Sequence, residues 1–535
     1  MRDIAPCPTF LIGRGRRTVS SNLRHGIGGI FGKAIRTVRS FAQLDYRDWI
    51  LVVAILTYSI VFSEYSIAKF VSFRTGYFDF GNAVQLVWLA EHGHVTAYVL
   101  ARPIMLLMAG FALIFPVPQT LLVAESVSLA IGAIPIYLIS NRVLEDRSYA
   151  LSVSLVYLVF PALTGINQYE FHDLTLCVPL LLFLFLFYLQ RKLILFCVAG
   201  ILALTTDEFI VIILGFFFLM IVWDYFESGR TKELKYFGLA TFLMALCWAL
   251  YLQSVSYIPA YSLATTGTAL YTFTGSSSFL NVPGALENLP YSFGYSISAK
   301  ITYLLLLFGP LLFTPILSLR RLIPALPWLG VIILYSPILG AGGTGPVYTV
   351  WSQWSAFVLP FVLIAGIYGI RELRDFAETW HRRRRVIRRV LAVIVCLTLT
   401  TVLVFGAFSP FQPQAQLSQG DNLVPVDIPS GQPYHGVWPT PVPNASLLDW
   451  FILQIPQEDS VLTQNQLGSK LAEREAPIYI FDQPGATLQT PAAILVDSQL
   501  PGYCPTCLAQ TLAAANYSLA ASVPAAGVSL YFLTS

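Results

Sequence analysis

Apolar runs of about twenty residues recur along the chain, the length at which a helix crosses a bilayer. They lie near 49–70, 119–140, 148–164, 174–190, 193–206, 209–225, 236–257, 299–319, 322–340, 352–370 and 389–409. Two further stretches are apolar but shorter. Phe78–Glu91 carries Phe80, Val84, Val87 and Trp88 at helical spacing. The run 103–116 stops at Pro116-Val117-Pro118, so it predicts a helix lying in or dipping into one leaflet. After 409 the pattern changes: 410–445 is rich in Pro, Gln and Gly and reads as a linker. From 446 onward soluble elements follow, with helices near 446–455, 465–474 and 504–515. Strands are expected near 460–464, 477–481, 492–496 and 517–533. The predicted architecture is mainly α: a polytopic helical membrane protein of about eleven spans, with a small α/β domain at its C-terminus.

Charge orients these spans. Of the 32 Lys and Arg, nine lie between Arg2 and Arg47. Others cluster at Arg142/Arg147, Arg191/Lys192, Arg230–Lys235, Arg320/Arg321 and Arg371–Arg389, in alternate gaps between the apolar runs. By the positive-inside rule those gaps and the 1–46 segment are cytoplasmic. The domain reading is therefore a basic cytoplasmic segment 1–46 and a transmembrane body 47–409 whose first outer loop is 71–118. The linker 410–445 and the domain 446–535 then lie outside the cytoplasm. That tail holds nine acidic and two basic residues from 410 onward. The expected localisation is the cell membrane, multi-pass.

With 56% hydrophobic and 11% charged residues, the chain cannot cover a water-soluble globule of this size with polar surface. The net charge of +3 is sorted to one side and suits anionic lipid, not nucleic acid. Seven cysteines are present. Cys504-Pro505-Thr506-Cys507 falls on the oxidising side, where a disulfide persists, and lacks the two further ligands that zinc needs. Asn444-Ala445-Ser446 and Asn516-Tyr517-Ser518 are glycosylation sequons on the same side.

Carboxylates beside apolar helices are costly unless paired, hydrated or used, so they are the candidate chemistry. They form three groups, all in the gaps nearly free of basic residues: Asp79 within Gly76-Tyr77-Phe78-Asp79-Phe80-Gly81; Tyr169-Glu170-Phe171-His172-Asp173; and Thr206-Asp207-Glu208. Each has a plain structural reading as well, as a helix-start carboxylate, an interfacial histidine or a cap. Together they predict an anionic pocket that removes a proton from a hydroxyl or binds a divalent cation such as Mg or Mn through Glu170, Asp173, Asp207 and Glu208. Cations on that face are few, and Arg102 is a candidate phosphate ligand. Lys69 and Lys300 read as snorkelling anchors. The 258–298 stretch, rich in Ser, Thr, Tyr and Gly, reads as a surface loop, and the glycines of 340–345 as a turn.

Several short motifs resemble an uncharacterised prokaryotic membrane family, domain of unknown function 2079. They are Phe78-Asp79-Phe80-Gly81-Asn82 with Trp88 and Gly93, Pro103, Phe160-Pro161-Ala162, Phe171-His172, Tyr348 and Tyr368-Gly369. In the tail Ile455-Pro456, Thr463-Gln464-Asn465 and Ile478-Tyr479-Ile480-Phe481 look similar too. That family is similar to membrane glycosyltransferases of the C-type fold (GT-C), which move a sugar from a polyprenyl-phosphate carrier. The resemblance implies Asp79 as general base, with Arg102, Tyr169, Glu170, His172, Asp173 and Tyr348 around the substrate, and a glycan, lipid or protein acceptor. Two departures stand out. Leu100-Ala101-Arg102-Pro103 lacks the family's His before Pro103, and Thr206 replaces a Lys. The competing readings are a lipid or solute transporter or flippase, which would need a cavity open to both sides, and a non-catalytic scaffold, to which Asp79 would not matter.

Overall fold

The computed structural model describes residues 45–256, 282–336, 350, 352–378, 383–405, 438–481 and 490–534. The segment 1–44, the linker residues 406–437, the glycine turn at 340–345 and Tyr348 lie outside the described residues.

The chain is a helical membrane protein with a small sheet at its C-terminus. Among the described residues seven helical runs are long and apolar enough to span: Tyr46–Val71, Val117–Leu144, Arg147–Tyr169, Ile210–Glu227, Lys232–Val255, Thr314–Leu334 and Arg385–Val404. Shorter apolar helices occupy Asp173–Leu189, Leu193–Leu204 and Ile297–Leu311, and Leu359–Glu378 is a further buried helix. Proline sets several breaks. Pro161 starts a new helix after Leu158, and Pro310, Pro315, Pro324 and Pro327 divide the stretch from 309 into 3-10 turns and short helices. Arg320 and Arg321 consequently lie inside the run Thr314–Leu334, not in a gap between two spans as their charge predicts. Arg321 is buried there by its partner Asp224, 2.7 Å away. In the 258–298 stretch, the described part forms two short helices, Val282–Glu287 and Leu289–Gly294, in place of a loop.

The basic gaps and the acidic gaps make separate sets of ion pairs. Arg321 and Arg320 hold Asp224 at 2.7 and 3.2 Å, Arg374 approaches Glu145 at 3.6 Å, and Arg191 approaches Glu233 at 3.9 Å. The carboxylates of the acidic gaps pair instead with Lys69, Arg102 and His172.

Residues 72–116 form short helices at Asn82–Glu91, Ala97–Ala101 and Ile104–Ala112. Thr96 caps the second by accepting from the Val99 N–H at 3.3 Å. The third ends in the exposed apolar tip Leu113, Ile114 and Phe115.

In the tail, strands β1 (Val461–Thr463), β2 (Ile478–Ile480), β3 (Ala493–Asp497), β4 (Tyr517–Val523) and β5 (Val528–Leu533) form one sheet in the order β2-β1-β3-β5-β4. β1 runs parallel to β2 and β3, and β5 is antiparallel to β3 and β4. The single strand expected over 517–533 is a hairpin, because Pro524 and Gly527, the latter at φ 74°, turn the chain between β4 and β5. Alternation along the strands serves two faces. Leu462, Ile494 and Val496 pack with Leu508 of the helix Pro505–Ala514. Val461, Ala493 and Leu495 point the other way and join a core shared with Phe70, Phe80, Val84, Val87, Met105 and Leu121. The sheet therefore has no separate core on that side, and its floor is the first interhelical segment.

Candidate functional site

Asp79 sits in a π-turn, Tyr77–Gly81, closed by the Gly81 N–H donating to Gly76 O at 3.0 Å. Single π-turns of this kind recur at functional sites because they rotate one side chain away from the helical register. Phe80 and Tyr77 are buried beneath the turn, whereas Phe78 is 40% exposed beside the acid. Glu170, from the link after Tyr169, lies against the start of the turn. Its carboxylate accepts from the N–H groups of Gly76 at 3.0 Å and Phe80 at 3.4 Å, the favourable place for a negative charge at a helix start.

The two neighbours of Glu170 reach the acid itself. Tyr169 donates its hydroxyl to Asp79 Oδ2 at 3.1 Å, and His172 Nε2 stands 3.3 Å from Oδ1. His172 Nδ1 is 3.1 Å from the Glu170 carbonyl, which accepts only, so Nδ1 carries a proton. Burial works against charge on His172, but the hydrogen bond and attraction of Asp79 outweigh it and raise the imidazole to about 9. Burial likewise pushes Asp79 up, and the His172 contact reverses this, holding the carboxyl below its ordinary value. The result is an aspartate–imidazolium pair, with the Asp79 side chain 26% and the His172 side chain 14% exposed.

Lys69 does not snorkel. Its side chain is 4% exposed, and Nζ donates to the carbonyls of Gln168, at 3.1 Å, and Tyr169, and lies 3.7 Å from Glu170. It thus closes the C-terminus of the helix that delivers Tyr169. Glu170 is pushed up to about 7 by burial, with Lys69 opposing. Lys300 is another internal staple, donating to Ser292 O, Ile333 O and Tyr335 O at 2.7–2.9 Å.

The remaining carboxylates gather elsewhere. Asp173, Asp207 and Glu208 converge on Arg102 at 3.0, 3.0 and 2.9 Å. Arg102 Nε donates to Glu208, Nη1 to Asp173 and the Tyr98 hydroxyl, and Nη2 to Glu208, while Asp207 Oδ2 stands 3.0 Å from Nη2 as a further ion-pair partner. Its Cζ also lies 4.6 Å from the Tyr98 ring centroid. The guanidinium is committed to three carboxylates and a phenol. The residues do not fit a divalent cation: a guanidinium fills the space between three of the four acids, and Glu170 faces the π-turn and Lys69. Among the described residues no group of three or more His, Cys, Asp or Glu is arranged to hold a metal ion. Asp207 is pushed up to about 8 by burial and by Glu208, against the pull of Arg102; it also accepts from the Phe209 N–H at 2.8 Å, the capping role open to it in sequence.

Sequence reasoning passed over Tyr98, Gln85, Thr175 and the role of Asn465. Thr175 Oγ1 bridges Glu125 Oε1, at 2.8 Å, and His172 O, at 2.7 Å. Gln85 accepts from the Tyr77 hydroxyl at 2.6 Å. Asn465 stood in a quoted motif without a function, and its Oδ1 lies at the Asp79 turn. In the tail Cys504 and Cys507 are joined as a disulfide. Asn444 is not placed for glycosylation, since its Nδ2 donates to Ala526 O at 2.8 Å and Asp497 Oδ2 at 3.1 Å.

Fold and site together define a polytopic helical membrane protein with a carboxylate–imidazolium–phenol cluster where its first interhelical segment meets the link after Tyr169. The family model described as "Predicted membrane protein (DUF2079)" matches residues 69–506, and the chain belongs to that family. No curated protein sequence matches it. Among solved structures, the apo-form crystal structure of the Archaeoglobus fulgidus oligosaccharyltransferase is similar, with a TM-score of 0.44 and 13% identity over 86% of this chain and 70% of that one.

Proposed function

We propose that the chain is an integral-membrane glycosyltransferase. It transfers a sugar from a polyprenyl-phosphate-linked donor to an acceptor hydroxyl at the outer membrane face, with Asp79 as the base. The observation that carries this reading is the Asp79 carboxylate, raised on a π-turn, partly exposed, and held from behind by Tyr169 at 3.1 Å and His172 at 3.3 Å. A carboxylate fixed through one side of each oxygen keeps lone pairs for an incoming hydroxyl.

In the transfer the acceptor oxygen bonds to the anomeric carbon, and the bond from that carbon to the phosphate oxygen breaks with its electron pair on the phosphate. The acceptor proton passes to Asp79. An acid held low by an imidazolium is a weak base. Weak basicity suffices here, because a glycosyl transition state is oxocarbenium-like, with leaving-group departure well advanced. The hydroxyl then becomes acidic as its oxygen engages the carbon, and proton transfer follows. Exposed Phe78, next to the acid, offers an apolar edge for a sugar face or a prenyl chain.

The test is transfer of radiolabelled sugar from a panel of polyprenyl-phosphate and polyprenyl-pyrophosphate donors by purified protein in lipid. Wild type should transfer, and Asp79→Asn should lose about 10²–10⁴-fold in rate. A folded wild type inert toward the whole panel, or an Asp79→Asn protein that works at the wild-type rate, rejects the reading.

A further inference from the structure

The first N–H groups of any helical turn have no carbonyl partner within the turn itself. In the Asp79 turn two sources supply what is missing. Glu170 takes Gly76 and Phe80. Asn465, at the start of the helix Asn465–Lys470 in the sheet domain, takes two more: Oδ1 accepts from the Tyr77 N–H at 2.7 Å and the Phe78 N–H at 3.1 Å, across 388 and 387 residues of sequence. Asp79 is the next residue. Glu170 thus ties the turn to the link that carries Tyr169 and His172, and Asn465 fixes it from the opposite side of the sequence.

The surroundings show a fitted joint. A Cβ on Gly81 would stand 2.8 Å from the Ser469 Cα, and one on Gly468 would stand 2.8 Å from the Tyr77 Cβ, so both glycines permit an approach that no other residue allows. Ser469 Oγ lies 3.0 Å from Thr75 Oγ1. The Tyr77 hydroxyl donates to Gln85 Oε1 at 2.6 Å, and Gln85 Nε2 donates to the carbonyls of Arg474 and Ala476 at 3.1 and 3.2 Å. Apart from the Tyr77–Gln85 bond, which relays within the first segment, each of these contacts joins the sheet domain to residues close to Asp79.

We propose that Asn465 is a positioning residue of the Asp79 site, and that through it the C-terminal sheet domain sets the carboxylate in register with His172 and Tyr169. The inference rests on the site described above and not on what is transferred there, so its test reads the Asp79–His172 pair directly.

The imidazole of His172 is followed by NMR in histidine-labelled protein in lipid nanodiscs, identified by its disappearance in His172→Gln. In wild type it titrates near 9 because Asp79 faces it, with Glu125 and the Glu170 carbonyl adding to the pull. Asn465→Leu keeps the size and removes the acceptor. It should lower the proton affinity of His172 by about tenfold or more, one pH unit. Asn465→Asp, which still accepts from both N–H groups, should keep the high midpoint. Ser469→Ala, at the same joint but without a bond to Tyr77 or Phe78, should keep it as well. A folded Asn465→Leu protein with the wild-type midpoint overturns the proposal. Should that variant not fold, residue-resolved amide exchange of wild type decides. The Phe78 N–H, on a 40% exposed residue, should be strongly protected; rapid exchange there overturns the proposal. Loss of sugar transfer in wild type would reject the enzymatic reading and leave both measurements intact.

Discussion

At the scale of single residues, the site is governed by which charges are paired. His172 stands above its ordinary 6.5, at about 9, so its contribution to stability is complete below about 6.5 and is lost as pH rises through 9. Asp79 is held below its ordinary 3.8, so its contribution is complete above that value and is lost as pH falls toward its folded-state pKa. The pair is therefore intact from weakly acidic pH to about 8. Thermal unfolding in detergent should show wild type losing stability between pH 7 and 9.5 more steeply than His172→Gln; parallel curves would show that no such pair exists. Arg102 behaves differently. Its planar fork meets three carboxylates and a phenol, which a Lys ammonium cannot do, so Arg102→Lys is not a mild change. Arg102→Met leaves buried Asp173 and Asp207 without a counter-ion and should cost about 3–5 kcal/mol in the same assay, the range for breaking a buried ion pair from one side. A loss below about 1 kcal/mol would mean the cluster is hydrated and exposed.

At the scale of elements, the π-turn and the helix Asn465–Lys470 stand or fall together. Gly81→Ala would push a methyl group to 2.8 Å from the backbone of Ser469, which cannot swing aside as a side-chain end can. It should destabilise the protein by about 1–3 kcal/mol, as overpacking does. Gly93→Ala faces open space but carries φ 87°, so its cost is confined to backbone strain and the joint is untouched. Only the first should also lower the His172 midpoint. This joint marks the limit of what the sequence discloses. The helical spacing of Phe80, Val84 and Val87 gave the buried face of the first segment, and all three are fully enclosed. Thr206-Asp207-Glu208 marked a real break between Leu204 and Ile210. The strands expected near 460–464 and 492–496 stand at Val461–Thr463 and Ala493–Asp497. Those signals are local, written in neighbours a few residues apart. The partition of the acids was not local: Glu170 and Asp173 are three residues apart, yet one caps the Asp79 turn while the other faces Arg102, because the link between them is extended at Glu170 and His172. Nothing in a composition or a period specifies which of two cations each carboxylate will meet.

At the scale of the whole molecule, two features bear on which side of the membrane the site occupies. The alternate sorting of Lys and Arg predicts a non-cytoplasmic position for the gap that contains Asp79. The second feature is the tail: its sheet shares a core with Phe80, Val84 and Val87, so it lies on the same side as Asp79, and it carries the Cys504–Cys507 disulfide. A disulfide persists in an oxidising compartment and is reduced in the cytosol. The two arguments use different residues, and both predict a non-cytoplasmic site. They are tested together by impermeant maleimide labelling of intact cells, with Cys7, Cys177, Cys197, Cys247 and Cys396 replaced by Ala. A cysteine at His94, exposed next to the first segment, should label without permeabilisation. A cysteine at Ser228, exposed beyond the helix that ends at Glu227, should label only after it. The reverse pattern would put Asp79 on the cytoplasmic side, among soluble sugar nucleotides and away from donors displayed outside, and the proposed donor class would fall with the orientation. Labelling of both from outside would mean that an odd number of the segments between them does not cross. One member of the short pair Asp173–Leu189 and Leu193–Leu204 would then be the place to look, since each falls below the length of a full span.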